Sequence, residues 1–124
     1  MLINIVIVGI GGFSGSILRY LITLYASKSG LSIFPWGTTI VNVVGSIIIG
    51  LIFGLFDRGW NISPEARLLL TTGFCGGFTT FSTFSFEFIK LLEDGELLIA
   101  FTYMFANILL STFLCLIVYR FFRG

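Results

Sequence analysis

The chain has 124 residues, of which 56% are hydrophobic and only 10% are charged. Soluble domains carry about 25% charged residues, so this composition, with a mean hydropathy of +1.06, predicts one integral membrane domain spanning residues 1–124. A net charge of +1 excludes a basic nucleic-acid-binding surface, and the lack of histidine excludes a His-based metal site or triad. No acid pair or activated nucleophile replaces them, so we do not expect an enzyme.

Four apolar segments are long enough to cross a membrane as helices, which takes about 20 residues for a ~30 Å hydrocarbon core. They are residues 2–26, 36–56, 64–92 and 95–122. The predicted fold class is therefore an all-α membrane protein with four transmembrane helices. Ser63 and Pro64 have the residue types of an N-cap and a first helical position before the third helix. Asp94 offers a cap before the fourth helix.

The first two spans carry small residues at four-residue spacing, Gly11-x-x-x-Gly15 and Ser46-x-x-x-Gly50-x-x-x-Gly54. In lipid, such residues let helix backbones approach closely, so both patterns predict helix packing. Arg19 also lies in the first span, and a charge at the bilayer centre costs roughly 2.5–3.5 kcal/mol. Two interpretations stay open for Arg19: it snorkels to the membrane end, or it attracts anions at a pore mouth.

The third span contains the most informative stretch, Gly73-Phe-Cys-Gly-Gly-Phe-Thr-Thr-Phe-Ser-Thr-Phe-Ser85. Three glycines in five residues weaken a helix. Non-helical backbone at membrane depth is tolerated only where it is buried in protein or lines a water-filled cavity. The stretch therefore predicts a third helix that is broken mid-membrane, next to an ion or substrate site.

Polar residues recur every four positions on the second and fourth spans, so each set shares one helix face. The two sets are Thr38, Asn42 and Ser46, and Tyr103, Asn107 and Ser111. Hydrogen bonding between helices would explain them. Two matching sets beside a broken helix favour a conduction path instead.

The chemistry of that path favours a small anion. Hydroxyl and amide groups can donate to an anion, and Phe81 and Phe84 offer the positive edges of their rings. A cation path is expected to show a ring of acids, whereas Glu87 is the only acid away from the ends of the spans. Ordinary packing of the two phenylalanines is the simpler alternative for them.

The basic residues are nearly balanced between the two membrane sides that four spans would define. One side has Arg58, Arg67, Arg120 and Arg123, and the other has Arg19, Lys28 and Lys90. Because the Lys/Arg bias of short loops sets orientation, four against three predicts insertion both ways round and an antiparallel, dual-topology homodimer. A single orientation chosen from subtler cues is the alternative.

Three stretches resemble the signature motifs of the Fluc (CrcB) family of fluoride channels. They are Gly11-Gly-Phe-Ser-Gly-Ser-Ile-Leu-Arg-Tyr20, Gly37-Thr-Thr-Ile-Val-Asn-Val-Val-Gly45 and the Gly73–Ser85 stretch. The resemblance runs over essentially the whole chain. It implies a dual-topology homodimer with two pores in the inner (plasma) membrane, which lets fluoride leave the cytoplasm passively and so relieves fluoride toxicity.

The resemblance also implies a structural Na⁺ at the dimer centre, held by the backbone carbonyls of Gly76 and Thr79 in each subunit; Gly77 and Thr80 are the alternative one residue along. The polar stripes and the resemblance together predict a set of pore residues. They are Arg19, Thr38, Asn42, Phe81, Ser82, Thr83, Phe84, Tyr103, Asn107 and Ser111. Asn107 departs from the Ser-type residue that the family pattern leads us to expect. Glu87 falls near an acid that some members of the family carry on this helix, and the resemblance implies that it is a ligand for fluoride at the exit of the pore.

Two other functions are alternatives to a channel. A small proton-coupled multidrug exporter has a similar length and topology but needs a titratable acid in its first helix, and residues 2–18 contain none. A non-transporting assembly subunit leaves the Thr38–Asn42 stripe and the glycine-rich stretch without a purpose.

Overall fold

The computed structural model describes residues 1–30 and 32–124, and all regular structure in those residues is helical. Three helices are long and apolar enough to cross a membrane. They are α1 (Leu2–Lys28), α2 (Trp36–Asp57) and α5 (Leu97–Arg123). Between α2 and α5 lies an element in two parts, α3 (residues 64–78) and α4 (Phe81–Glu93). The all-helical prediction and the broken third element are therefore confirmed.

Helix α3 changes its winding along its length. It begins as an α-helix at Pro64–Leu68, continues as a π-helix at Leu69–Cys75, and ends with the helical turn Gly76–Phe78. Ser63 is its N-cap, because the Ser63 side chain accepts a hydrogen bond from the Ala66 amide at 3.1 Å. The predicted cap is confirmed.

The break lies at Thr79 and Thr80, whose backbones are extended (φ −91°, ψ 159° and φ −150°, ψ 124°). The glycines before it stay helical, with Gly76 at φ −62°, ψ −36°. Glycine flexibility therefore does not form the break. The hydroxyl and amide of Thr79 both donate to the Cys75 carbonyl, at 2.9 and 3.0 Å, and so close the last turn of α3.

The glycines of α3 serve close packing against α1. A Cβ atom on Gly11 would lie 2.5 Å from the Leu69 carbonyl oxygen, and one on Gly77 would collide with the backbone of Gly12. Backbones this close leave no room for larger side chains, as expected for helix pairs in lipid. The Gly11-x-x-x-Gly15 spacing is thus confirmed as a packing motif, and its partner is the glycine-rich end of α3.

The second small-residue motif packs α2 against the C-terminal half of α5. A Cβ atom on Gly50 would lie 2.6 Å from the Cys115 carbonyl oxygen, and one on Gly54 would lie 2.7 Å from that of Tyr119. Asp94 is a cap residue at the C-terminal end of α4, where its amide donates to the Lys90 carbonyl at 2.9 Å. It does not cap α5, whose N-cap is Glu96 without a capping hydrogen bond from its side chain.

A buried cluster joins α4 to α5 and to the connection between α1 and α2. Its buried members are Phe84, Leu91, Ala100 and Tyr103, and its half-buried neighbours include Phe34 and Phe88. Helix α5 contains a π-helical turn at Ala106–Leu110. Such turns widen the helix locally and change the direction of the residues that follow.

Candidate functional site

A network of polar side chains from α2, α4 and α5 meets at the helix break. We call it the polar cluster; its members are Thr38, Thr39, Asn42, Thr80, Thr83, Glu87, Tyr103 and Asn107. Among the described residues, no buried side-chain nitrogen or oxygen lacks a hydrogen-bond partner. The cluster is therefore fully satisfied, as buried polar groups must be.

Glu87 binds two hydroxyls at one end of the cluster. Thr38 Oγ1 donates to Glu87 Oε1 at 2.9 Å, and the Tyr103 hydroxyl donates to Glu87 Oε2 at 2.9 Å. Thr38 and Tyr103 are almost completely buried. The two carboxylate oxygens thus each have a donor from a different helix, so Glu87 ties α4 to α2 and to α5.

Asn107 is the centre of the cluster and links α5 to α2. Its Nδ2 donates to Thr39 Oγ1 at 3.1 Å and to the Tyr103 carbonyl at 3.0 Å. Its Oδ1 accepts from Asn42 Nδ2 at 2.8 Å. The Asn107 amide thus donates two hydrogen bonds and accepts one, whereas a serine hydroxyl has only one proton to donate.

Asn42 carries the network to the break. Its Oδ1 accepts from the Thr80 amide at 2.8 Å, and its Nδ2 donates to the Thr80 carbonyl at 3.1 Å. Thr80 Oγ1 in turn caps α4 by accepting from the Thr83 amide at 3.2 Å. The side chains of Asn42 and Thr80 thus replace backbone hydrogen bonds that a continuous helix would have made.

Because of these contacts, two backbone carbonyls do not accept the amide hydrogen bond that each would have in a continuous helix. In a continuous helix the Thr80 amide would bond to the Gly76 carbonyl, and the Thr83 amide would bond to that of Thr79. Instead, the two amides bond to Asn42 and to Thr80 Oγ1. The carbonyls of the residues that follow each of these do have side-chain partners. That of Gly77 accepts from Arg19 Nε at 3.0 Å, and that of Thr80 accepts from Asn42 Nδ2.

A cavity lies on each side of the polar cluster. The outer cavity, of about 420 Å³, is lined by the connection between α1 and α2 together with Thr38 and Glu87. The inner cavity, of about 280 Å³, is lined by Asn42, Thr80 and Asn107 along with both Phe81 and Phe84. The cluster therefore separates two spaces and supplies polar groups to each.

The remaining predicted residues differ in their relation to the cluster. Phe84 is 5% exposed and Phe81 is 73% exposed, with ring centroids 5.7 Å apart. Ser82 is exposed. Ser111 follows the π-helical turn, and its hydroxyl donates to the Ala106 carbonyl five residues back, at 3.5 Å. Arg19 donates to Gly77, a contact that neither interpretation of the sequence predicted.

The sequence does not identify two members of the cluster as pore residues, and it does not reveal the hydrogen-bond partners of a third. Thr39 was overlooked in favour of Thr38, although Thr39 and Asn42 are three residues apart and share a helix face. Thr80 was considered only as an alternative cation ligand. Glu87 was noticed as the only acid within a span, but nothing in the sequence connects it with Thr38 and Tyr103.

Residues 6–119 match the family model described as "CrcB-like protein, Camphor Resistance (CrcB)". The chain belongs to the CrcB family. A protein of Chlorobaculum tepidum named "Fluoride-specific ion channel FluC" is 54% identical over 101 residues, which cover 82% of this chain and 79% of the relative. Relatives with the same name from Phocaeicola vulgatus and Agrobacterium fabrum are 45% and 46% identical and cover 87% and 89% of this chain, and 88% of each relative.

The family and the three apolar helices together identify a multi-pass membrane protein. The matched range begins within α1 and ends within α5, and it includes both halves of the broken element and every member of the polar cluster.

Proposed function

We propose that this protein is a fluoride-selective channel that lets fluoride leave the cytoplasm passively, and that it is not an enzyme. The observation that carries the proposal is the polar cluster between two cavities at a helix break. The names of the CrcB relatives support the choice of ion. Irregular backbone and buried polar groups at membrane depth are typical of ion pathways.

The residues around the two cavities fit a small, strongly hydrated anion. A selectivity site must replace the ion's water shell with protein groups. Thr38 lines the outer cavity, and Asn42 and Asn107 line the inner one. The single protons of the Thr38 and Tyr103 hydroxyls are donated to Glu87, so an ion at the outer end would receive them only by taking the place of the carboxylate oxygens.

Fluoride and chloride release from liposomes, each followed with an ion-selective electrode, test the proposal. We expect purified protein to release fluoride rapidly and chloride far more slowly. A reconstituted, correctly assembled protein that releases neither ion, or both equally, would contradict it. A parallel complementation assay is expected to restore growth in fluoride to cells that lack their own exporter, and fractionation should place the protein in the inner (plasma) membrane.

We further propose four membrane crossings and an antiparallel homodimer. Helices α3 and α4 together would form the crossing additional to the three long helices. Phe81 is 73% exposed, and Gly76 is exposed beside the break. This exposed surface at the break is where a second copy would complete each pore, and the nearly balanced basic residues favour opposite orientations.

Labelling of a single cysteine tests the orientations. In a background with Cys75→Ala and Cys115→Ser, a cysteine in place of exposed Ser29 reports the side on which the α1–α2 connection lies. We expect an impermeant maleimide to label about half of the protein in sealed vesicles, because a weak Lys/Arg bias does not select one orientation. Complete labelling or none would indicate a single orientation.

The break also fits a structural Na⁺ at the centre of the dimer. The carbonyls of Gly76 and Thr79 lose their helical partners, while those of Gly77 and Thr80 accept from side chains. Carbonyls of unwound segments and half-helix ends coordinate Na⁺ in membrane proteins. We therefore favour Gly76 and Thr79, and we expect exchange of Na⁺ for a large organic cation to lower the thermal stability of the dimer as well as its fluoride flux.

A further inference from the structure

Five aromatic rings form a continuous row from the break to the connection between α1 and α2. We call this the aromatic row; its members in order are Phe81, Phe84, Tyr103, Phe34 and Trp36. Successive ring centroids are 5.7, 5.2, 5.6 and 4.6 Å apart. All these separations lie within or near the range of favourable aromatic contacts. The row thus joins the two predicted phenylalanines to a loop residue that the sequence did not single out.

Local contacts hold Phe34 between Tyr103 and Trp36 in this row. Trp36 Nε1 donates to Ser32 Oγ at 3.0 Å, and the Trp36 amide donates to the Phe34 carbonyl at 2.8 Å. The rings of Phe34 and Tyr103 are nearly perpendicular, at 86°. Phe34 is half-buried against Tyr103, whereas its neighbour Ile33 is 61% exposed.

Phe34 also lines the outer cavity, together with Thr38 and Glu87. Tyr103, which contacts the Phe34 ring, donates to the same carboxylate as Thr38. An ion that moved between the outer cavity and the Thr38–Glu87–Tyr103 group would therefore pass beside the Phe34 ring.

We propose that Phe34 is a specificity-determining residue of the anion route, at its outer end, where its ring supplies an edge to the ion next to the hydroxyls of Thr38 and Tyr103. This inference rests on the proposed channel function. Aromatic rings carry a negative face and a positive edge, so a ring is suited to an anion in a way that an aliphatic side chain of similar size is not. The polar cluster then has aromatic rings on both sides, Phe81 and Phe84 at the inner cavity and Phe34 at the outer one.

The experiment compares Phe34→Leu and Phe34→Met, which keep apolar bulk without a ring, with Phe34→Tyr, which keeps the ring. Ile33→Ala is the matched control, because Ile33 lines the same cavity from the same loop without belonging to the packed cluster. Fluoride and chloride release from liposomes and the fluoride concentration at half-maximal flux are measured for each variant. Size-exclusion chromatography checks assembly.

We expect both ring-free variants to lose about three- to tenfold in fluoride flux, the effect of one ordinary aromatic contact, and to shift the half-maximal concentration upwards. Phe34→Tyr should keep clearly more flux than the two ring-free variants, because its ring remains, and Ile33→Ala should lose less flux than they do. Wild-type flux in assembled Phe34→Leu or Phe34→Met would overturn this inference and leave the proposed function unaffected. An equal loss in Phe34→Tyr would also overturn it, because a packing role would explain that result. Absence of fluoride flux in the wild type would instead overturn the proposed function.

Discussion

Asn42 bonds to both backbone groups of Thr80, 38 residues away in the chain: its Oδ1 accepts from the amide at 2.8 Å and its Nδ2 donates to the carbonyl at 3.1 Å. The side-chain amide thus takes the place of a peptide group at the point where the third element leaves the helical conformation. This contact couples α2 to the break, and Nδ2 also reaches Asn107 on α5.

Asn42→Ala is therefore expected to destabilise the protein and abolish flux. It leaves the amide and carbonyl of Thr80 without their partner, and an unsatisfied polar group costs about 1–3 kcal/mol. Thermal unfolding in detergent and fluoride release measure the two effects. Asn61→Ala, in the exposed connection before α3, is the control that should change neither. An unaltered unfolding temperature in Asn42→Ala would contradict the importance of this contact.

Phe81→Ile should separate conduction from stability. Phe81 is 73% exposed within one subunit, and isoleucine keeps an apolar side chain there, so the replacement is expected to reduce fluoride flux strongly while the unfolding temperature of the protein changes little. Phe86→Ile is the matched control, since Phe86 lies on the same helix, is 65% exposed and does not line the inner cavity. Flux in Phe81→Ile equal to that in Phe86→Ile would remove Phe81 from the proposed pore.

Tyr103→Phe tests the hydroxyl without disturbing the ring. The substitution keeps the contacts of the ring with Phe34 and Phe84 but removes the hydrogen bond to Glu87. Loss of this bond leaves Glu87 Oε2 without its donor, which costs about 1–3 kcal/mol, so we expect a lower unfolding temperature and about a tenfold loss of fluoride flux. Tyr25→Phe, 80% exposed on α1, should have no effect. Wild-type flux in Tyr103→Phe would show that the anion does not need this donor.

Two glycines of α1 provide a test of the packing against α3. A Cβ atom on Gly15 would collide with the Phe74 carbonyl, whereas one on Gly9 would meet no heavy atom within 4 Å. Gly15→Ala is therefore expected to lower stability by about 1–3 kcal/mol through overpacking. Gly9→Ala should be neutral or slightly stabilising, because alanine favours the helix. Equal unfolding temperatures for the two variants would contradict the observed closeness of α1 and α3.

The sequence by itself determined the class of the protein and much of its packing. Apolar composition and the lengths of the apolar segments are direct consequences of the bilayer as solvent, so the helical membrane fold followed from them. The Ser63 cap and the Gly11-x-x-x-Gly15 motif depend on neighbours within a few residues or on one helix face. The spacing of Thr38 and Asn42 likewise identified one polar face of α2 correctly.

Only the tertiary structure decided where the third element breaks and which groups meet there. The glycines of α3 draw attention in the sequence, but they remain helical, because the break depends on Asn42 from a distant part of the chain. The partners of Glu87 come from α2 and α5. Each of these outcomes depends on contacts between helices, which residue spacing along one helix does not contain.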